Sequence, residues 1–302
     1  MSIKKMEEAL RTDLACERLR ADTQIPGVEY REEERKECRI SRLRVQSEEG
    51  AASIGKPQGS YVTMSFAPIW ELDDAALSEL SHTLSELITE FCTREEKMPS
   101  SVLVVGLGNR YITSDAVGPD SIREMFATRH LKAEDPLLFS RFSEVELSLL
   151  APGVMAQTGI ETQVLVAGVK DAVHPDLIIA IDALAARSTE RLATTIQLSD
   201  TGIRPGSGIG NARQALDRET LGVPVLSIGI PSVVDSATLV CDAFEKAGLS
   251  DQEIPESLQR VLSEGASFFV SPRQSDVVTE KAARLVADAV NHTFSSGFFT
   301  EG

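Results

Sequence analysis

At 302 residues the chain has room for one large domain or two small ones, and 42% hydrophobic content with a mean hydropathy of −0.06 suits a soluble globular protein. A net charge of −16 and a pI near 4.8 oppose direct nucleic-acid binding, because affinity for a phosphate backbone comes largely from Lys and Arg. The N-terminus lacks a signal peptide's apolar stretch, no run of about 18 apolar residues occurs, and Cys16, Cys38, Cys92 and Cys241 show neither CxxC nor zinc spacing, so a cytoplasmic protein with reduced thiols and no membrane partner is expected.

Residues 1–24 are charged and read as a helix or mobile segment, and Pro26-Gly27 marks a change of character. Apolar residues alternate raggedly with charges over 28–45, and 61–66 is a clearer strand by its β-branched and aromatic content. A small N-terminal β extension over about 26–66 is therefore expected, with 53–60 as its loop. Asp73 is placed to cap a helix whose Leu77, Leu80, Leu84, Leu87, Ile88 and Phe91 recur at helical spacing. After Met98-Pro99 comes the core, about 100–295. Strands near 102–106, 163–167, 177–182, 194–198 and 224–230 alternate there with helices such as 116–129, which argues for an α/β fold with a mostly parallel twisted sheet flanked by helices. Further on, 236–247, 254–265 and 276–294 read as amphipathic helices, interrupted by a possible lid at Ser271-Pro272-Arg273.

Two acidic residues stand where buried strands run out. Asp115 lies in Val102-Leu-Val-Val-Gly106-Leu-Gly108-Asn109-Arg-Tyr-Ile-Thr-Ser114-Asp115, and Asp182 ends Leu177-Ile-Ile-Ala-Ile181. Ligands of open α/β sheets collect outside the carboxyl ends of the strands, which is where both residues belong. Taken alone, Asp115 reads equally as the N-cap of the helix from Ala116. Asp182 favours function over a structural ion pair, because a carboxylate directly after five apolar residues is costly to desolvate unless paired or used. Gly106, Gly108 and Asn109, and the second glycine loop with Ser207, Gly208, Gly210 and Asn211, read as backbone donors to a substrate peptide or oxyanion. Lys170 and Asp171 are assigned to the loop before the Asp182 strand, either tuning a carboxylate or forming a surface ion pair. Asp200-Thr201-Gly202 matches one pepsin-like loop, but that chemistry needs two. Neither glycine loop completes a dinucleotide fingerprint, Ser207 is in no G-x-S-x-G elbow, and no HExxH occurs.

The motifs Gly106-Leu-Gly108-Asn109, Asp115-Ala-Val-Gly118-Pro119, Gly168-Val-Lys170-Asp171, Ile181-Asp182-Ala and Asp200-Thr-Gly202 through Asn211 occur in the same order as in the spore germination protease family, which the chain resembles over about residues 12–240. The resemblance implies an endopeptidase of the forespore and spore core that starts degrading small acid-soluble spore proteins at germination. It also implies a homotetramer, a self-processing zymogen, and a phosphorylase/hydrolase-like fold similar to hydrogenase-maturation proteases. Asp115 and Asp182 become its catalytic pair. Thr12-Asp13-Leu14-Ala15-Cys16-Glu17 is similar to the family's cleavage sequence, which places a cut between Asp13 and Leu14 and divides the chain into a propeptide, 1–13, and a single catalytic domain, 14–302.

Two neighbouring carboxylates cannot both ionise comfortably, so one can hold a proton while the other activates water. In the hydrogenase-maturation enzymes a histidine completes a metal site, whereas here no histidine follows Asp182 until His292. An aspartic-type pair is therefore favoured and no cofactor is expected, with a divalent metal left open. The alternative from another class is a non-catalytic or nucleotide-binding α/β module.

Overall fold

A continuous sheet runs through the computed structural model, which describes residues 12–19, 25–95, 97–205, 214–249, 253, 255–264 and 268–295. Its strands are β1 (Val28–Glu34), β2 (Cys38–Val45), β3 (Gly59–Phe66), β4 (Ser101–Gly106), β5 (Glu146–Leu150), β6 (Leu177–Ala186), β7 (Thr195–Ser199), β8 (Val225–Asp235) and β9 (Phe269–Val270). The helices are α1 (Glu48–Ile54), α2 (Asp74–Cys92), α3 (Val117–Arg123), α4 (Arg129–Glu134), α5 (Pro136–Phe142), α6 (Met155–Thr158), α7 (Thr162–Val173), α8 (Arg218–Leu221), α9 (Ser236–Lys246), α10 (Glu256–Glu264) and α11 (Ser275–Phe294).

The strand order is β1-β2-β3-β7-β8-β6-β4-β5, with β9 paired to β8. Parallel pairing joins β5, β4, β6 and β8. The remaining pairs are antiparallel, which makes the whole sheet mixed. The N-terminal strands are no separate appendage, because β3 pairs with β7 from Tyr61 opposite Ser199 to Ser65 opposite Thr195.

The uninterrupted apolar runs of β4 and β6 follow from burial on both faces. Val104 and Ile179 join Leu80, Leu84 and Ile88 of α2 and Val286 and Val290 of α11 on one side. Leu103, Val105, Ile178 and Ala180 meet Val166 of α7 on the other. Asp73 caps α2 as expected, accepting the Ala76 N–H at 2.8 Å.

Several elements differ from the sequence expectation. Residues 163–167 are helical, with Val166 buried and Val169 and Val173 packed beside it, so spacing overrides local β-branched content. The edge strand β5 was not expected at all. Part of the supposed loop at 53–60 closes α1, whose N-cap Ser47 accepts the Gly50 N–H at 3.0 Å. The helix expected over 116–129 ends at Arg123, and β6 continues four residues beyond Asp182. Residues 271–273 simply connect β9 to α11. Among the described residues, no helix is long and apolar enough to cross a membrane.

Candidate active site

From β4 the chain passes to β5 on one side, then crosses to β6 on the other, so the topological switch lies between β4 and β6. Asp115 follows the first of these strands and Asp182 sits within the second. Both line one cavity of about 980 Å³.

The glycine-rich loop after β4 holds Asp115. The Asn109 N–H donates to Asp115 Oδ2 at 2.8 Å, while Asn109 Oδ1 accepts the Tyr111 N–H at 3.0 Å and Gln157 Nε2 at 2.7 Å. Gly108 takes φ +114°, and a Cβ there would stand 2.0 Å from the Asp115 carbonyl oxygen. A Cβ on Gly118 would lie 2.2 Å from the Leu107 oxygen and 2.7 Å from that of Ile181, so α3 can approach both strands only as glycine. Ser232 Oγ donates to the Ser114 oxygen at 2.5 Å and Thr279 Oγ1 to that of Thr113 at 2.8 Å, tying the turn to β8 and α11. The N-cap position of α3 is Ala116, with no side-chain cap bond, so Asp115 does not cap that helix.

These contacts revise the expected roles of Gly106, Gly108 and Asn109. None of the three lines the cavity; they pack the turn and orient Asp115. Ser207, Gly208, Gly210 and Asn211 lie outside the described residues. Lys170 and Asp171 are also relocated, from a loop to the last turns of α7, where they pair at 2.6 Å. They precede the start of β6, at the other end of the strand from the cavity that Asp182 lines.

Asp182 is 6% exposed and its Oδ1 accepts the Ala183 N–H at 3.0 Å. It lies opposite Gly229 of β8, which in turn lies opposite Gln197 of β7. β4 stops at Gly106, paired with Ile181, so β6 beyond that point has lost its β4 neighbour.

Residues 12–18 occupy the space. Asp13 N–H donates to the Ala185 oxygen at 2.9 Å, and Ala185 N–H donates to Asp13 Oδ2 at 2.9 Å. The Asp13 carbonyl oxygen accepts Lys56 Nζ at 2.8 Å and Gln197 Nε2 at 3.3 Å, and Gln197 Oε1 accepts the Ala15 N–H at 2.7 Å. Leu14 is fully buried with Leu184, Ala186, Leu192 and Val234, and Ala15 with Leu43, Val45, Ile54 and Tyr61. The Glu17 carboxylate accepts the N–H groups of Arg187 at 2.8 Å and Ser188 at 2.9 Å, and also the Thr12 hydroxyl. Burial pulls the Lys56 ammonium below the ordinary lysine range, and the nearby Asp13 carboxylate opposes that shift.

Sequence reasoning missed Lys56, Gln197 and the Glu17 cradle. No motif marks them, since a loop lysine and a strand glutamine acquire meaning only once residues 12–17 dock between them. Among the described residues, no three His, Cys, Asp or Glu side chains cluster so as to hold a metal ion.

A model of the germination protease family matches residues 5–247. A germination protease of Caldanaerobacter subterraneus subsp. tengcongensis is 40% identical over 311 residues and 95% of both chains. One from Priestia megaterium is 35% identical over 347 residues, 94% of this chain and 93% of its own. One from Clostridium perfringens is 33% identical over 308 residues, 93% and 94% of the two chains. A solved [NiFe] hydrogenase maturation protease, HycI from Thermococcus kodakarensis KOD1, aligns with 65% of this chain and 98% of its own at 16% identity, with a TM-score of 0.31, too low to bear on fold or function. The family match spans most of the chain and includes both Asp115 and Asp182, and three relatives agree with it over nearly their full lengths: this chain belongs to the germination protease family.

Proposed function

We propose that this protein is an endopeptidase that opens small acid-soluble spore proteins to degradation at germination, and that it is made as a zymogen cutting itself between Asp13 and Leu14. The observation that carries the reading is that Thr12 and Asp13 form part of the wall of the same cavity that Asp115 and Asp182 line, with the Asp13 carbonyl held on one side of the bond and the Leu14 side chain buried on the other. Residues 1–13 are then the propeptide and 14–302 the catalytic domain. Homotetrameric assembly and a forespore and spore-core location belong to the same reading and rest on the family resemblance.

One carboxylate of the pair takes a proton from water as the water attacks the carbonyl, and the other, protonated, supplies the proton the departing amine needs. Asp182, with little exposure, is protected from bulk water, whereas Asp115 is held by an amide of its own loop. That amide contact favours a peptidase over a nucleotide site, because the Asn109 N–H faces a carboxylate where a phosphate cradle would leave it open.

The test follows intact mass over time for the purified chain beside Asp182→Asn, from mildly acidic to neutral pH, with and without a chelator. Loss of residues 1–13 from the wild type alone supports the reading, and the chelator arm reports whether a divalent ion takes part. Equal trimming of both proteins refutes the role of the carboxylate.

A further inference from the structure

Resting on the peptidase reading, we infer that Lys56 and Gln197 form the oxyanion site, with Lys56 the principal catalytic electrophile. The position follows from geometry. The atom that gains negative charge when the 13–14 bond is attacked is the Asp13 carbonyl oxygen, and among the described residues Lys56 Nζ at 2.8 Å and Gln197 Nε2 at 3.3 Å donate to it. Gly108 and Asn109, expected in this role, are engaged with Asp115, and among the described residues the donors come from α1's exit and from β7.

Local structure aims both groups. Gly55 ends α1 at φ 68°, and the Lys56 N–H donates back to the Ala51 oxygen at 3.2 Å, which turns the lysine from the helix toward the sheet. Lys56 Nζ also donates to the Thr12 oxygen at 3.3 Å, so it spans two consecutive carbonyls. Gln197 has its amide orientation fixed from the substrate side. The Ala15 N–H can only donate, so Oε1 faces it at 2.7 Å and the NH₂ group faces Asp13. Gly229 stands between Gln197 and Asp182 in the sheet, and a Cβ there would meet Leu184 Cδ1 at 2.3 Å. The row therefore presents one amide and one carboxylate on either side of a residue without a side chain.

In the step itself, water oxygen bonds to the Asp13 carbonyl carbon as one carboxylate takes a water proton. The carbonyl π pair moves to the Asp13 oxygen, where Lys56 and Gln197 stabilise the new charge. When the carbonyl re-forms, the carbon–nitrogen bond breaks, its electron pair goes to the Leu14 nitrogen, and the protonated carboxyl supplies that nitrogen's proton. A free carboxyl on Asp13 and an amine on Leu14 result, and the pair again holds one proton, now on the carboxylate that took it from water, while the new Asp13 carboxyl loses its own proton to solvent.

A lysine that merely clamps the segment has the same contacts, so the experiment must separate rate from docking. Self-cutting of the full-length chain is followed by intact mass for wild type, Asp182→Asn, Lys56→Met and Gln197→Leu, alongside hydrogen exchange at the Leu14 and Ala15 amides. Removal of one oxyanion donor lowers the rate by about 100-fold or more. Lys56→Met is expected to fall that far while keeping Leu14 and Ala15 protected, with a smaller loss for Gln197→Leu. Lys56→Ala should regain rate with added ethylammonium. The inference is overturned by Lys56→Met cutting within about threefold of wild type, by a loss that only tracks lost amide protection, or by absent amine rescue. If wild type and Asp182→Asn both stay uncut, the peptidase reading falls first and this one with it; if only the lysine arm fails, the peptidase reading stands.

Discussion

Asp13 and Ala185 exchange two hydrogen bonds, one from each backbone N–H, and the second is accepted by the Asp13 carboxylate at 2.9 Å. The acid before the proposed cut is thus held by a strand backbone N–H. A hydrogen bond to a charged acceptor contributes about 1.5–3 kcal/mol. Asp13→Ala should slow self-cutting about tenfold to a hundredfold, and Asp13→Glu less. Mass analysis of the N-terminus over time decides it, and a wild-type rate for Asp13→Ala would place acid recognition elsewhere.

Gly108→Ala should inactivate a protein that still folds. The residue holds φ +114°, and its new Cβ would meet the Asp115 carbonyl oxygen at 2.0 Å. The turn carrying Asp115 must then shift, and displacements of about 1 Å cost about 100-fold in well-oriented catalysis. Circular dichroism beside a self-cutting assay separates loss of site from loss of fold; retained activity would show that Asp115 tolerates the move.

Glu17 is buried, with its carboxylate on two successive N–H groups of Arg187 and Ser188. Glu17→Gln replaces one acceptor oxygen by a donor facing another donor, a loss of about 1–3 kcal/mol. The Leu14 amide should exchange roughly ten to a hundred times faster, and hydrogen exchange measured on an Asp182→Asn background reads this directly. Unchanged exchange would mean that Leu14 burial alone seats the segment.

Asp176 supplies a pH signature. Burial pushes its carboxyl up, but the Ser100 hydroxyl at 2.9 Å and the N–H groups of Ser100 at 2.8 Å and Ser101 at 3.0 Å outweigh that and hold it low. A depressed folded value gives stability that is full above the unfolded value, about 3.9, and is lost as pH falls through the folded one. Asp176→Asn should therefore unfold at lower temperature than wild type at pH 7, with the two melting points converging toward pH 3. A constant gap across that range would assign the effect to packing.

Much of the scaffold was legible because two-face burial leaves a strong mark. The runs at 102–106 and 177–182 announced themselves as strands, and Asp182 stood out as the one charge interrupting the second. The α/β class and the long α2 and α11 followed from spacing. By contrast, Gln163-Val-Leu-Val-Ala167 looks like a strand in a short window, and only docking on the sheet beside Val166 reveals its helical face. β5 lacks β-branched residues altogether. For the site, Asp115 and Asp182 came from local pattern, whereas Lys56 and Gln197 lie 141 positions apart (197 − 56) and meet only through residues 12–17. Pattern reasoning assigned donors to the nearest glycines because glycine leaves a signature and tertiary convergence does not.

The row that carries Asp182, Gly229 and Gln197 also makes strand register a determinant of chemistry. β7 is only five residues long and reads Thr195-Ile196-Gln197-Leu198-Ser199, alternating polar and apolar. A slip of one position would exchange Gln197 for Ile196 or Leu198 and turn an amide-bearing wall greasy while leaving the hydrophobic content unchanged. Length changes in this half of the molecule are thus confined to the connections between strands, and a homologous graft of β3 and β7 must preserve alignment as strictly as it preserves the aspartates.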